Sequence, residues 1–211
     1  MSPDLLIALV MLTNFTLVAT SRINKAIQVA VAQGVLLGLM PIAMGLGRHL
    51  HILAMAVAAV AVKGWLIPFL LRRAMREVQI QREVDPFIGY TASLLLCAVG
   101  TGLSLMLAHS LPLKPGAAPP FLVPAALATL FTGFLLLVSR RKALTQVVGY
   151  LVLENGIYLF GLLLVEDMPA LVETGILLDL FVGVFVMGIV IHHIRAAFDS
   201  TDIRHLAELK D

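Results

Sequence analysis

The chain has 211 residues, 60% of them hydrophobic and 13% charged, and its mean hydropathy is +0.98. A soluble domain carries roughly 25% charged and about 45–50% apolar residues, so this composition excludes a water-soluble enzyme, a disordered tail and a nucleic-acid binder. A formal net charge of +2 provides no polyanion-binding surface, and the single cysteine, Cys97, excludes a disulfide framework or an iron–sulfur or nickel–iron centre held by this chain alone.

Seven apolar stretches follow one another, at 4–20, 26–44, 50–71, 87–109, 121–138, 144–165 and 170–194. Most match the roughly 17–25 residues that cross about 30 Å of hydrocarbon as a helix. Lipid offers the backbone no hydrogen-bond partner, so such stretches must be helices. The expected fold is an all-α integral membrane protein with about seven transmembrane helices and no room for a soluble domain.

The first span carries Asn14 and has no basic residue before it, which argues against a cleaved signal peptide. Arg22 and Lys25 follow. The second span contains Gln33 and the pair Gly34 and Gly38, whose small-xxx-small spacing permits close helix contact. After Arg48, the third span includes Lys63, Gly64 and Pro68. Pro68 has no N–H to give the carbonyl of Gly64, so the helix ladder is expected to loosen just after the lysine. The basic stretch RRAMREVQIQREVD at 72–85 favours helix and is read either as a surface-lying or partner-binding segment or as a solvated loop that only sets topology. Beyond the fourth span, LPLKPGAAPP at 111–120 cannot be helical and is the best internal boundary, dividing a four-helix part (1–110) from a three-helix part with a tail (121–211).

Arg140, Arg141 and Lys142 separate the fifth span from the sixth, which carries Glu154 and Asn155. Glu166 and Asp167 precede the seventh, which carries Glu173 and Asp179 and ends at His192 and His193. Those histidines read as interfacial polar residues, since haem ligation would need a histidine deep in the span. Alternate loops and the tail hold twelve basic residues, from Arg22 to Lys210, against two on the other side, Arg48 and Lys114. That asymmetry puts the N-terminus outside and the C-terminus in the cytoplasm.

The chemistry is expected at residues that are costly in a membrane. At about 1.5 Å of rise per residue, Glu154 lies about 15 Å into its span, Asp179 about 13–14 Å and Lys63 about 12 Å, whereas Glu173 is only about 5 Å in. A lone charge at the bilayer centre costs from about 2.5 to well over 10 kcal/mol, so it persists when paired, neutralised or in contact with water. Desolvation disfavours the charged form of acids and amines alike, bringing both towards the range where a proton can hop. Glu154, Asp179, Lys63 and Glu173 are therefore candidates for a proton or cation path. The plainer alternatives are a static buried pair stapling helices, a snorkelling Lys63, an interfacial Glu173 and an ordinary kink at Pro68. No nucleotide loop, nucleophile constellation or metal-ligand spacing is present, and no cofactor is expected in this chain.

The runs LENGIYLFG (153–161) and ETGILLDLFVG (173–183) resemble hydrogenase-4 component E, and the whole chain fits that family in length, helix count and topology. The last three helices are also similar to subunit K of complex I and to the small C subunit of multisubunit cation/proton antiporters. In subunit K two glutamates on successive helices belong to the proton path. Glu154 matches the first, and Asp179, a shorter acid, falls at the second. The resemblance implies a non-catalytic membrane subunit of a group 4 hydrogenase or formate hydrogenlyase-type complex in the prokaryotic cytoplasmic (inner) membrane. Its partners would be antiporter-like membrane subunits and peripheral hydrogenase subunits that carry the nickel–iron and iron–sulfur centres. An antiporter subunit without a redox partner and a purely structural membrane-arm linker are the alternatives.

Overall fold

The computed structural model describes residues 2–45, 57, 60–78, 86–111, 119–163 and 188, with backbone alone at 74–78 and 143. Its helices are α1 (Pro3–Ala19), α2 (Ile23–Ala43), α3 (Ile67–Val78), α4 (Tyr90–Ser110), α5 (Leu122–Ser139) and α6 (Ala143–Leu163). A π turn, Val62–Leu66, leads into α3. Helices α2, α4 and α5 and the stretch Leu144–Leu163 of α6 are long and apolar enough to cross a membrane, and the 17-residue α1 is apolar but shorter. These five coincide with the first, second, fourth, fifth and sixth apolar stretches. The third stretch is described from 60 onward and at 57, and the seventh, with Glu173 and Asp179, lies outside the described residues apart from Gly188.

Helix α3 departs from the sequence expectation in one respect. The apolar stretch ends at Leu71, but the helix continues to Val78. RRAMREV is rich in good helix formers and has neither glycine nor proline, so this part of the basic stretch prolongs the helix by about two turns.

Helices α1, α2, α6 and α5 close a four-helix ring in that order, with α4 against α1 and α5, and the π turn and α3 against α2. Glycine brings the most intimate pair together. A Cβ built on Gly156 would lie 2.6 Å from the Leu130 backbone nitrogen, one on Gly149 would lie 2.9 Å from that of Leu137, and one on Gly133 would collide with the backbone of Leu153. Thus α5 and α6 touch backbone to backbone, the close approach that small residues permit in membrane bundles. Gly34 and Gly38 do the same for α2, where they meet the side chains of Lys63 and Val60.

The interior is layered. One buried apolar cluster contains Leu6, Ile7, Val10, Leu37, Met40, Leu122, Leu159 and Leu162. A second contains Leu17, Val18, Ile23, Ile27, Ile67, Leu71, Leu136, Val148 and Val152. Each ring helix passes from one cluster to the other, so α1 and α5 run one way and α2 and α6 the opposite way. Both clusters draw on helices from both sides of the 111–120 connector. The turns at 20–22 and 140–142 and the C-terminal half of α3 lie at the end of the second cluster, and this places Arg22, Arg72, Arg73, Arg140 and Arg141 at one end of the bundle.

Candidate functional site

Midway along each ring helix, between the two apolar clusters, the buried residues are polar: Asn14 on α1, Gln33 on α2, Thr129 and Thr132 on α5, and Glu154 and Asn155 on α6. Lys63, from the π turn, joins this layer at 7% exposure. It does not snorkel. Its Nζ donates a 2.9 Å hydrogen bond to Asn155 Oδ1, stands 3.9 Å from Glu154 Oε1 and lies 5.4 Å from the centre of the Tyr158 ring. Asn155 Nδ2 donates to Gln33 Oε1 at 3.0 Å. Gln33 Nε2 donates to Asn14 Oδ1 at 2.8 Å and to Thr13 Oγ1 at 2.9 Å, and Asn14 Nδ2 donates to Thr129 Oγ1 at 2.9 Å.

The direction of this chain follows from its first member. A protonated lysine can only donate, so Asn155 must turn its oxygen towards Lys63 and its nitrogen away. That nitrogen then needs the oxygen of Gln33, whose nitrogen needs the oxygen of Asn14. Every amide consequently points oxygen-first towards the ammonium. Five helical elements are tied together in one polarised row.

Local backbone puts Lys63 in place. Pro68 has no N–H, so the carbonyl of Gly64 lacks the usual donor four residues on. The ladder slips by one residue, and Ile67 N–H reaches back to the Val62 carbonyl. The loosening anticipated around Gly64 and Pro68 thus takes the form of a π turn that contains the lysine. Such single-turn widenings are frequent at functional sites. Gly34 supplies the space opposite, since a Cβ there would come within 3.0 Å of Lys63 Cβ and 3.1 Å of its Cδ.

At 3.9 Å the Lys63–Glu154 pair is attracted by charge but is too far apart for a hydrogen bond. Direct proton exchange would need a small approach or one bridging water. Beside the lysine is a cavity of about 10 Å³ lined by Ala30, Val31, Lys63, Ile67, Leu151 and Asn155, close to the smallest volume that admits one water.

Four contributors went unnoticed in the sequence. Thr13, Thr129 and Tyr158 look ordinary in apolar helices, although Tyr158 is one turn from Glu154. Arg140, read only as a topology signal, is fully buried. Its Nη2 donates to the Val18 carbonyl at 2.7 Å and its guanidinium lies 4.5 Å from the Tyr90 ring centre. Together with the hydrogen bond from Phe87 N–H to the Ser139 carbonyl, it fastens α1 and α4 to the α5–α6 turn. Among the described residues no three His, Cys, Asp or Glu side chains converge as metal ligands.

Over 182 residues the chain is 32% identical to an uncharacterised protein of Mycobacterium tuberculosis, a match that covers 85% of this chain and 82% of that one. Over 162 residues it is 30% identical to hydrogenase-4 component E of Escherichia coli and equally to that of Shigella flexneri, covering 76% of this chain and 74% of theirs. No family model and no solved structure matches the chain. The resemblance carried by the residues around Glu154 thus extends over most of both sequences, and the chain belongs to the hydrogenase-4 component E family.

Proposed function

We propose that the chain is a membrane subunit, with no redox centre of its own, of a group 4 hydrogenase-type energy-converting complex, and that Lys63 and Glu154 take part in moving protons through its membrane arm. The observation that carries this reading is the polar layer itself, in which an ammonium and a carboxylate face each other at 3.9 Å between two apolar seals. Buried ionisable residues of this kind are by default candidates for proton paths.

In this reading Glu154 takes up and releases the proton, and Lys63 sets its affinity through their mutual charge. Asn155, Gln33 and Asn14 hold Lys63 in register. Because both ends of the layer are sealed, the proton leaves sideways towards an antiporter-like neighbour, with Asp179 and then Glu173 as further stations on the seventh span. The basic end of the bundle faces the cytoplasm of a prokaryote, and the chain crosses the inner membrane seven times. The polarised row of amides also favours a second reading, in which the layer is a static pin for membrane-arm assembly.

Mass spectrometry of what co-purifies with the tagged chain in mild detergent tests the assignment. The proposal expects hydrogenase-type and antiporter-like subunits together. Recovery of antiporter-like subunits alone would replace it with a cation/proton antiporter role, and recovery of the chain alone would leave the complex without support.

A further inference from the structure

Helix α6 meets the Lys63 ammonium with three side chains, those of Glu154, Asn155 and Tyr158. At about 100° of turn per residue, Tyr158 stands about 40° round the helix from Glu154 and about 60° from Asn155, so it lies between them and one turn further on. A helical side chain covers the turn N-terminal to its own Cα, and the Tyr158 ring therefore lies over the turn that carries Glu154 and Asn155. Lys63 Nζ is 5.4 Å from the ring centre, inside the roughly 6 Å over which an aromatic face attracts an ammonium.

The stem of the lysine is held separately. It passes Gly34, where an added Cβ would lie 3.0 Å from its Cβ and 3.1 Å from its Cδ, so the choice of partner is left to the terminal bonds. An ammonium has three protons, and Asn155 takes one at 2.9 Å. Glu154 is the adjacent residue and could take a second at the same time. Closing the 3.9 Å separation to the roughly 2.8 Å of a charged hydrogen bond would strengthen the Coulomb attraction by about 40%. The pair nonetheless stands open, and the bond to Asn155 alone does not explain why. The ring attracts the ammonium from its third side and, unlike an oxygen, cannot take its proton. We propose that Tyr158 is a positioning residue, whose ring face keeps the Lys63 ammonium on Asn155 and off Glu154 so that the two charges do not collapse into a fixed salt bridge. The ring contact stands on geometry, whereas its consequence for proton transfer rests on the proton-path reading.

Tyr158 also borders the first apolar cluster, so the competing role is packing. Fluorination separates the two, because each ring fluorine weakens the negative face with little change of shape. The full chain carries Tyr158→Phe or its mono-, di- or trifluorinated phenylalanine counterparts. Loss of helicity in mixed micelles titrated with a denaturing detergent should come earlier with each added fluorine, and these steps should vanish in a Lys63→Met background. In the assembled complex in sealed vesicles, Tyr158→Phe should retain most of the proton translocation per turnover that Tyr158→Leu loses. The trifluorinated form should fall severalfold below Tyr158→Phe with subunit composition unchanged. A series without steps, or with equal steps in Lys63→Met, would reduce the ring to packing and overturn the proposal. So would a Tyr158→Phe that fares no better than Tyr158→Leu. Steps in stability beside flat translocation, where Glu154→Gln does lose translocation, would overturn it too, since the ring would then anchor the lysine without setting the pair. Unchanged translocation in Glu154→Gln itself would instead contradict the proton-path reading, and the stability series would decide the ring contact.

Discussion

Replacing Gln33 by Leu removes the central joint of the polar row while keeping much of the side-chain volume. It breaks four hydrogen bonds, to Asn14 at 2.8 Å, Thr13 at 2.9 Å and the Val10 carbonyl at 3.4 Å and from Asn155 at 3.0 Å. Interhelical hydrogen bonds in membrane proteins average about 0.6 kcal/mol and reach about 1.7, so the loss should lie between about 2 and 7 kcal/mol. Asn155→Leu breaks two bonds, one of them from the ammonium of Lys63; hydrogen bonds to charged groups run to about 1.5–3 kcal/mol, which puts this variant at about 2–4 kcal/mol. The two residues share one bond, and each single change already orphans its partner. The double variant should therefore cost less than the sum by at least about 0.6 kcal/mol, beyond the roughly 0.3–0.5 kcal/mol scatter of independent sites. Loss of helicity in mixed micelles titrated with a denaturing detergent measures all three. Strict additivity, or a Gln33→Leu cost below that of one average bond, would refute a connected row.

Gly34→Ala places a methyl within 3.0 Å of Lys63 Cβ; overpacking costs about 1–3 kcal/mol, and the displaced lysine should also lower proton translocation in the assembled complex. Gly156→Ala aims its methyl at the Leu130 backbone, which cannot rotate aside, so the upper part of the same range, about 2–3 kcal/mol, is expected in the detergent titration. Arg140→Gln loses the bond to Val18 and the stack on Tyr90. With about 0.5–2 kcal/mol for the stack and up to about 1.7 for the bond, a loss of about 2 kcal/mol is expected. Arg140→Lys should recover less than half of it, because an ammonium cannot stack and donate in the same plane.

Much of the fold was legible because a bilayer leaves few options: apolar runs of span length gave five of the described helices within a few residues. The end of α3 was not, because hydropathy falls at Arg72 while helix propensity does not. Lys63 and Glu154 stood out for their cost in lipid, and Pro68 marked the backbone irregularity beside the lysine. Their meeting across the π turn and α6 could not be read, since depth in a helix says nothing about lateral neighbours. Asn14, Gln33 and Asn155 were visible as polar residues in apolar helices, but the oxygen-first order of their amides depends on Lys63 being the terminal donor. Arg140 was masked by its neighbours Arg141 and Lys142, which made a buried guanidinium look like one more loop charge.

The central claim is that Glu154 carries a proton and is not merely one half of a pin. Its most direct test is the Glu154→Gln variant in the assembled complex in sealed vesicles, with protons moved per redox turnover measured beside the subunit composition. The account predicts normal assembly with translocation per turnover reduced severalfold or lost. Normal assembly with unchanged translocation would contradict it, and failure to assemble would favour the static pin.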